Sequence, residues 1–408
     1  MGRTKLRPFP PKRAPPATSF RRLPDWGEPL RTSAGEAYLV GRSDLQGIEA
    51  WRQVGSDSRH GHRYYEILDA TIPPFEYHYL VLEDLAHRVR AVQPVFVHVQ
   101  DVLEGVPEEL RRFARLLTRM APSLVQFRTL FVGPPVGEAA LGAQPEDRVW
   151  CAWALTQALP LAARRLGASL IVLKDFPAAL RPVLRVFTER GYTRIPSMPS
   201  VALDLDFKDF QEHLLTLSPS TRKDLRRKFR DAGRLPPVSV EVRTDISDCV
   251  DELYPLYLQV HERAALRFEK LTPDYFRRLG EEMPGRTIFF IWTHEGKPVA
   301  FNACLLHDGV IWAENIGLDY RVALDLHLYF IVTRDVIDWA CRRGLRRYCS
   351  GPLNYDPKLR LGFTLEPLDL YVCHRNRVAN GILRRVAPWI TPVRHEPLLQ
   401  RFPNAHDL

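Results

Sequence analysis

No run of about 18 consecutive apolar residues occurs in the 408-residue sequence, so no helix is expected to cross a bilayer. The N-terminus lacks the apolar core of a secretory signal, and Leu6 stands where a myristoylation signal needs Ser or Thr. The expected location is therefore cytoplasmic. Cysteines are few, and Cys151, Cys249, Cys304, Cys341, Cys349 and Cys373 form no Cys-x-x-Cys pair. They read as small buried apolar residues in a reducing compartment. The thirteen histidines are scattered; His60 and His62 share a polar loop with Arg59 and Arg63, and no spacing suits zinc, so no metal is expected.

Acid is absent from the first 24 residues, which carry Arg3, Lys5, Arg7, Lys12, Arg13, Arg21 and Arg22. These seven cations account for most of the net charge of +9 and leave the rest of the chain nearly balanced. The overall charge therefore says little about a partner. Residues 1–35 are also Pro-rich and are expected to form a disordered tail, which solubilises or touches RNA or anionic lipid.

What remains is long enough for two domains. Strands are expected at 77–84, 89–100, 127–137, 168–176 and 200–207, with helices at 108–120, 148–167 and 177–191. A second run starts after 208. Ser218, Pro219 and Gly233 punctuate a basic helix over 217–234. A strand at 238–245 and helices from 249 and from Thr272-Pro273 follow. Three strands over 287–318 turn at Glu295-Gly296 and Asp308-Gly309. A helix at 326–344, a strand at 345–351 and a last strand at 362–375 complete the run, and 376–408 reads as a short helix plus an irregular extension. The halves repeat: Gly167 and Gly344 are 177 residues apart, Gly191 and Gly362 are 171 apart, and both pairs fall at matching points of helix, strand, connector and strand. The expected domains are 1–35 as tail, 36–209, 210–375 and the extension 376–408.

The basic helix LSPSTRKDLRRKFRDAG, the hairpin GKPVAFNACLLHDGVIWAENIGLDY and the loop GPLNYDPKLRLGF resemble the GNAT superfamily, and more narrowly its Fem-like branch. The resemblance covers about 40–375 as an architecture, with motifs only in 210–372. It implies an α/β fold of two tandem GNAT-like domains with mixed, mainly antiparallel sheets flanked by helices. It further implies transfer of an acyl or aminoacyl group to an amine acceptor, small-molecule or peptidoglycan-precursor-like. No cofactor is expected to bind tightly; acyl-CoA or aminoacyl-tRNA serves as co-substrate. One departure stands out. The family's glycine-rich pyrophosphate turn corresponds here to DYRVALDLHLYF (319–330), without glycine, and GPPVGEAALG (133–142) in the first half contains two prolines that donate no amide.

Amide formation needs a held donor, a deprotonated amine, a stabilised oxyanion and a protonated leaving group. Lys358 is the candidate for the oxyanion or a donor phosphate, and Tyr355 for leaving-group protonation; the plainer alternatives are an exposed loop lysine and a packing aromatic at a strand end. Glu314, an acid inside the apolar strand WAENIGL, is the candidate base, with a pKa raised by burial, the alternative being that strand alternation points it to solvent. Asn302, Asn315, Asn354 and Arg360 are candidates for substrate binding. Arg222 and Arg226, with Lys223 and Arg227, line adjacent turns of one helix and suit phosphates, including those of tRNA; the plainer alternative is a solvated helix face. Lys174 and Asp175 read mainly as structural. Lys358, Tyr355 and Glu314 are expected to converge on one cleft with Arg222 or Arg226 at its rim. The alternative function is a non-catalytic GNAT pair that binds a glycan precursor or RNA.

Overall fold

The structure is a computed structural model that describes residues 26–56, 58–101, 126–264 and 267–408. The helix expected at 108–120 and most of the tail lie outside the described residues. In the first half, strands β1 (Leu30–Thr32), β2 (Gly35–Val40), β3 (Glu76–Glu83), β4 (Val89–Asp101), β5 (Gln126–Val132), β6 (Leu170–Pro177), β7 (Thr193–Pro196) and β8 (Ser200–Asp204) alternate with helices α1 (Glu49–Gln53), α2 (His62–Thr71), α3 (Arg148–Arg165) and α4 (Arg181–Glu189). In the second half, α5 (Phe210–Thr216) and α6 (Pro219–Ala232) lead into β9 (Val238–Arg243), α7 (Val250–Arg263), α8 (Pro273–Glu282), β10 (Thr287–His294), β11 (Lys297–His307) and β12 (Val310–Leu318). Then come α9 (Leu328–Arg342), β13 (Arg347–Ser350), α10 (Tyr355–Arg360), β14 (Thr364–Glu366), β15 (Leu368–His374) and α11 (Arg377–Ile390).

Local chemistry explains many boundaries. Ser218 Oγ accepts from the Thr221 amide at the start of α6, and Thr272 does the same for Tyr275 at α8. Glu295-Gly296 and Asp308-Gly309 all have positive φ, as two-residue hairpin turns require.

The strands form two mainly antiparallel sheets with orders β1-β2-β3-β4-β5-β6-β15-β7 and β14-β8-β13-β12-β11-β10-β9. β1 apart, the orders match position for position, as the internal repeat requires. Each half donates one strand to the other: β8 inserts between β13 and β14, and β15 between β6 and β7. A cut at 209/210 therefore follows the sequence but not the hydrogen bonding. The strand expected at 362–375 is in fact two, in different sheets. Pro367 separates them because it has no N–H to continue a ladder.

The expected tail also ends too late. Trp26 is buried and packs edge-on against Tyr38, and β1 pairs with β2, so residues 26–35 belong to the fold. The reason is the Leu30–Gly35 hairpin, whose Leu30 and Ala34 are both buried. The helix face of the first sheet packs on α3 and α4, and that of the second on α6 and α9. Between the sheets lies a shared core of Phe96, Phe131, Tyr257, Phe276, Phe289, Phe301 and their neighbours. Among the described residues no helix is long and apolar enough to cross a membrane.

Candidate active site between the two sheets

The inter-sheet core does not close completely. A cavity of about 860 Å³ opens within it, floored by Phe131, Leu170, Val172, Ile195, Leu370 and Val372 from the first sheet. Its other wall is the edge of β12. That strand runs parallel to β13 for only four residues, from Val310↔Arg347 to Ala313↔Ser350, and then continues to Leu318 without it. The wedge between the splayed strands is lined by Glu314, Asn315 and Ile316 on one side and Ser350, Gly351, Pro352 and Leu353 on the other. Glu314 is the extra residue of a bulge, since Ala303 pairs with Asn315 and Cys304 with Ala313. The Asn315 Oδ1 atom is buried without a hydrogen-bond partner among the described residues.

Glu314 reaches the cavity but is not a poised base. The Arg59 guanidinium donates to it through Nε and to Glu138 through Nη1 at 3.1 Å, and stacks 4.8 Å over the Trp312 ring. His60 Nε2 lies 3.4 Å from Glu314 Oε1, near enough to feel its charge but off-line for a hydrogen bond. Ser200 Oγ donates to Glu138 at 2.6 Å. Burial alone would raise the Glu314 pKa, but the Arg59 charge and the His60 ring outweigh it and hold it at about 2. The raised pKa expected from sequence is therefore corrected. An acid in an apolar strand finds its partner across the domain junction, which neighbouring sequence does not reveal.

The other expected residues are not gathered at the cavity. Lys358 is buried, not exposed, and its Nζ donates to the carbonyls of Gly351 at 2.5 Å and Leu353 at 2.7 Å. Burial pushes its pKa down to about 7. It thus ties the cavity-lining loop 351–353 from behind rather than lining the cavity. Tyr355 is buried with its hydroxyl donating to Pro199 O at 2.7 Å, and burial raises its pKa far above the phenol range. Asn354 is exposed in the left-handed region at φ 49°. Arg360 pairs with Asp356 at 2.9 Å on the surface. Asn302 is buried on β11 with Oδ1 unpartnered among the described residues, but it does not line the cavity. Arg222 donates to Leu215 O at 3.1 Å, and neither it nor Arg226 lines the cavity, because α6 packs on the opposite face of the second sheet.

The cavity also carries Lys174 and Asp175, read from the sequence mainly as structural, and Glu269, which sequence reasoning missed. Lys174 and Asp175 form an ion pair at 2.6 Å, with Asp175 in the left-handed region at φ 54° and accepting from Ser197 Oγ at 2.5 Å. Lys174 Nζ sits 5.5 Å over the Phe268 ring. Beside them Glu269 lines the cavity with no ion-pair partner within 4.0 Å among the described residues. Burial raises its pKa to about 7, partly offset by the Lys174 charge and reinforced by Asp175. Glu269 lies in the connector RFEKLTP, where no periodic pattern marks it; Arg59 likewise sits in a polar loop that gives no sign of burial.

Among the described residues, neither of the two turns that correspond to the family's pyrophosphate loop offers a cradle for a pyrophosphate. After β12, the Tyr320 amide donates to Gln259 Oε1 and the Arg321 amide to Asp319 Oδ1, both at 3.0 Å, and the Val322 and Ala323 amides donate to Asp319 O. The Asp319 carboxylate is also bound by Arg321 Nη2 at 2.7 Å, so an arriving anion meets a carboxylate and spent donors. In the first half the glycine loop folds onto the protein. The Ala139 amide donates to Asp175 O at 3.0 Å, and a Cβ on Gly142 or Gly137 would collide with Val92 O or the His60 ring. The group does not fit either turn.

Residues 219–358 match the family model described as acetyltransferase (GNAT) domain. No curated protein sequence matches the chain. Among solved structures, similarity extends to the C-terminal domain of a putative lysylphosphatidylglycerol synthetase from Agrobacterium fabrum, at 14% identity, over 80% of this chain and 94% of that one, with a TM-score of 0.46. FemX is similar at 10% identity over 75% of this chain and 90% of its own, with a TM-score of 0.46. A tandem GNAT protein from the clavulanic acid biosynthesis pathway is similar at 14% identity over 75% and 85%, with a TM-score of 0.42.

Proposed function

We propose that this chain, which carries a GNAT acetyltransferase domain over residues 219–358, transfers an acyl or aminoacyl group to an amine inside the inter-sheet cavity. The observation that carries the reading is the splay of β12 from β13, which opens onto a cavity that also holds the carboxyl of Glu269, without an ion-pair partner among the described residues. In this reading the donor carbonyl lies along the free edge of β12, whose peptide groups have no strand partner on that side beyond Ala313. The amine attacks the carbonyl carbon directly, the new C–N bond forms, and the C–S or C–O bond to the donor breaks. Glu269, titrating near 7, takes the proton from the amine; the leaving thiol or hydroxyl regains one. The Arg59–Glu138–Glu314 cluster holds the two sheets at the spacing this needs, and Lys358 positions the 351–353 wall.

The donor's identity is the finer part of the reading. The poor fit of both turns to a pyrophosphate favours an aminoacyl ester, or a thioester gripped elsewhere, over a standard CoA pose. The same observation favours the second reading, a non-catalytic pair that binds a glycan precursor or RNA. A panel of acyl-CoAs and aminoacyl-tRNAs, assayed with amine acceptors for amide product, separates the two. Transfer by the native protein, abolished by Asn315→Trp while the melting temperature is kept, supports the enzyme. Absence of product with every donor would move the assignment to the binding reading.

A further inference from the structure

Helix α11 presents two apolar faces. One is turned inward: Ala387 is buried, and Leu383 packs on the inter-sheet core and lines the cavity. The other is turned to solvent, where Val378, Ile382, Val386 and Trp389 are exposed by 73%, 56%, 41% and 73%. Their spacing places all four on one stripe of the helix. Among the described residues thirteen large hydrophobics are exposed, and four of them sit on this single helix, so the stripe is a cluster and not background.

The charges around the stripe have one sign. Arg375, Arg377, Arg384, Arg385 and Arg394 are exposed, and no Asp or Glu occurs between 375 and 395. None of the five forms an ion pair among the described residues, although Arg375 donates to Ala168 O at 2.9 Å. A short amphipathic helix with exposed Trp, Ile and Val flanked by unpaired arginines is the pattern of a segment lying in the plane of a bilayer interface. The helical arginines Arg377, Arg384 and Arg385 border the stripe on the side away from the core, and Arg375 and Arg394 lie beyond its ends; a protein partner of ordinary composition would bring no uniform negative charge to such a border, whereas an anionic lipid surface does.

We propose that α11 docks this protein on an anionic membrane surface, with Val378, Ile382 and Trp389 entering the headgroup region and the arginines contacting lipid phosphates. The proposal stands apart from the transfer chemistry. Its one link to the cavity is Leu383, which would place the cavity wall directly behind the lipid-facing helix.

The test uses the full chain, whose basic N-terminal stretch is present in every variant and so cancels. Sedimentation with vesicles of phosphatidylglycerol and phosphatidylcholine is compared with pure phosphatidylcholine, for the native protein, for Ile382→Ser with Trp389→Ser, and for Arg384→Glu with Arg385→Glu. Because these side chains are exposed, melting temperatures should stay close to native. The expected result is partitioning onto anionic vesicles that falls about tenfold or more in each double variant, together with quenching of Trp389 fluorescence by spin-labelled lipid that Trp389→Phe removes. Equal partitioning of native and variant proteins overturns the proposal. So does a native dimer that becomes monomeric in the stripe variant with vesicle binding unchanged, which would assign the face to a second copy of the chain.

Discussion

The two halves share a strand order, yet they treat the same opening in opposite ways. In each, a parallel pair is joined over four residues, β5 with β6 from Thr129 to Val132 and β12 with β13 from Val310 to Ala313. In the first half β5 stops there, and the loop after it folds back so that Ala139 takes the Asp175 carbonyl. In the second half β12 runs on to Leu318, and its edge faces a cavity. A duplicated fold thus has one mouth plugged by its own chain and one left open. The plugged half supplies the floor, Glu138 and Arg59; the open half supplies the edge and Glu269. The exchange of β8 and β15 fixes one sheet relative to the other.

The contact that spans the halves is the first place to break this arrangement. Arg59→Ala leaves the Glu314 carboxylate and the half-buried Glu138 carboxylate without their shared cation, and should cost about 3–5 kcal/mol in denaturant unfolding. The same measurement on Lys174→Ala, within the plugged half, should give a smaller loss. Second comes acid. Glu314 is held at about 2 against an unfolded value near 4.3, so its contribution is present above that unfolded value and is lost as pH falls toward 2. The size is about 3 kcal/mol. Unfolding curves from pH 6 to pH 2 should therefore be flatter for Glu314→Gln than for the native protein.

Lys358 should show the opposite side of the pH scale. Its folded pKa of about 7 lies below the usual lysine value, so the folded state gains stability as pH rises from 7 toward 10. Lys358→Met removes two hydrogen bonds to the 351–353 wall and should cost about 1–2 kcal/mol near pH 9, and less at pH 6. The smallest effect belongs to the N-terminus. Deleting residues 1–24 should change the melting temperature by about a degree or less, whereas deleting through Thr32 removes Trp26 and β1 and should lower it measurably.

Much of this organisation was legible in the sequence. The hairpin turns of β10–β12, the caps of α6 and α8 and the repeat of the two halves all rest on local patterns, and local patterns are what a chain displays openly. The strand exchange was not legible, because β8 and β15 look alike as alternating apolar segments whichever sheet receives them; Pro367 was the one local clue. The site was less legible still. Glu314 was recognised as an acid out of place, but its partner Arg59 lies 255 residues away. Lys358 and Tyr355 were recognised as polar groups before Gly362-Phe363, and both proved to be buried in the wall. Glu269 had no periodic setting at all, and its raised pKa comes from burial against the cavity and, to a lesser degree, from the Asp175 charge, neither of which local sequence displays.

The most direct test of a reaction seated in the open mouth is the pH dependence of kcat/KM, measured with whichever donor and amine sustain turnover, for the native protein and for Glu269→Gln. Glu269 as base predicts a native rate that rises with pH through a limb near 7, and a variant slowed by about 10²–10⁴-fold in which that limb is gone. A Glu269→Gln protein that keeps both the native rate and the native limb would place the proton transfer elsewhere and contradict the assignment.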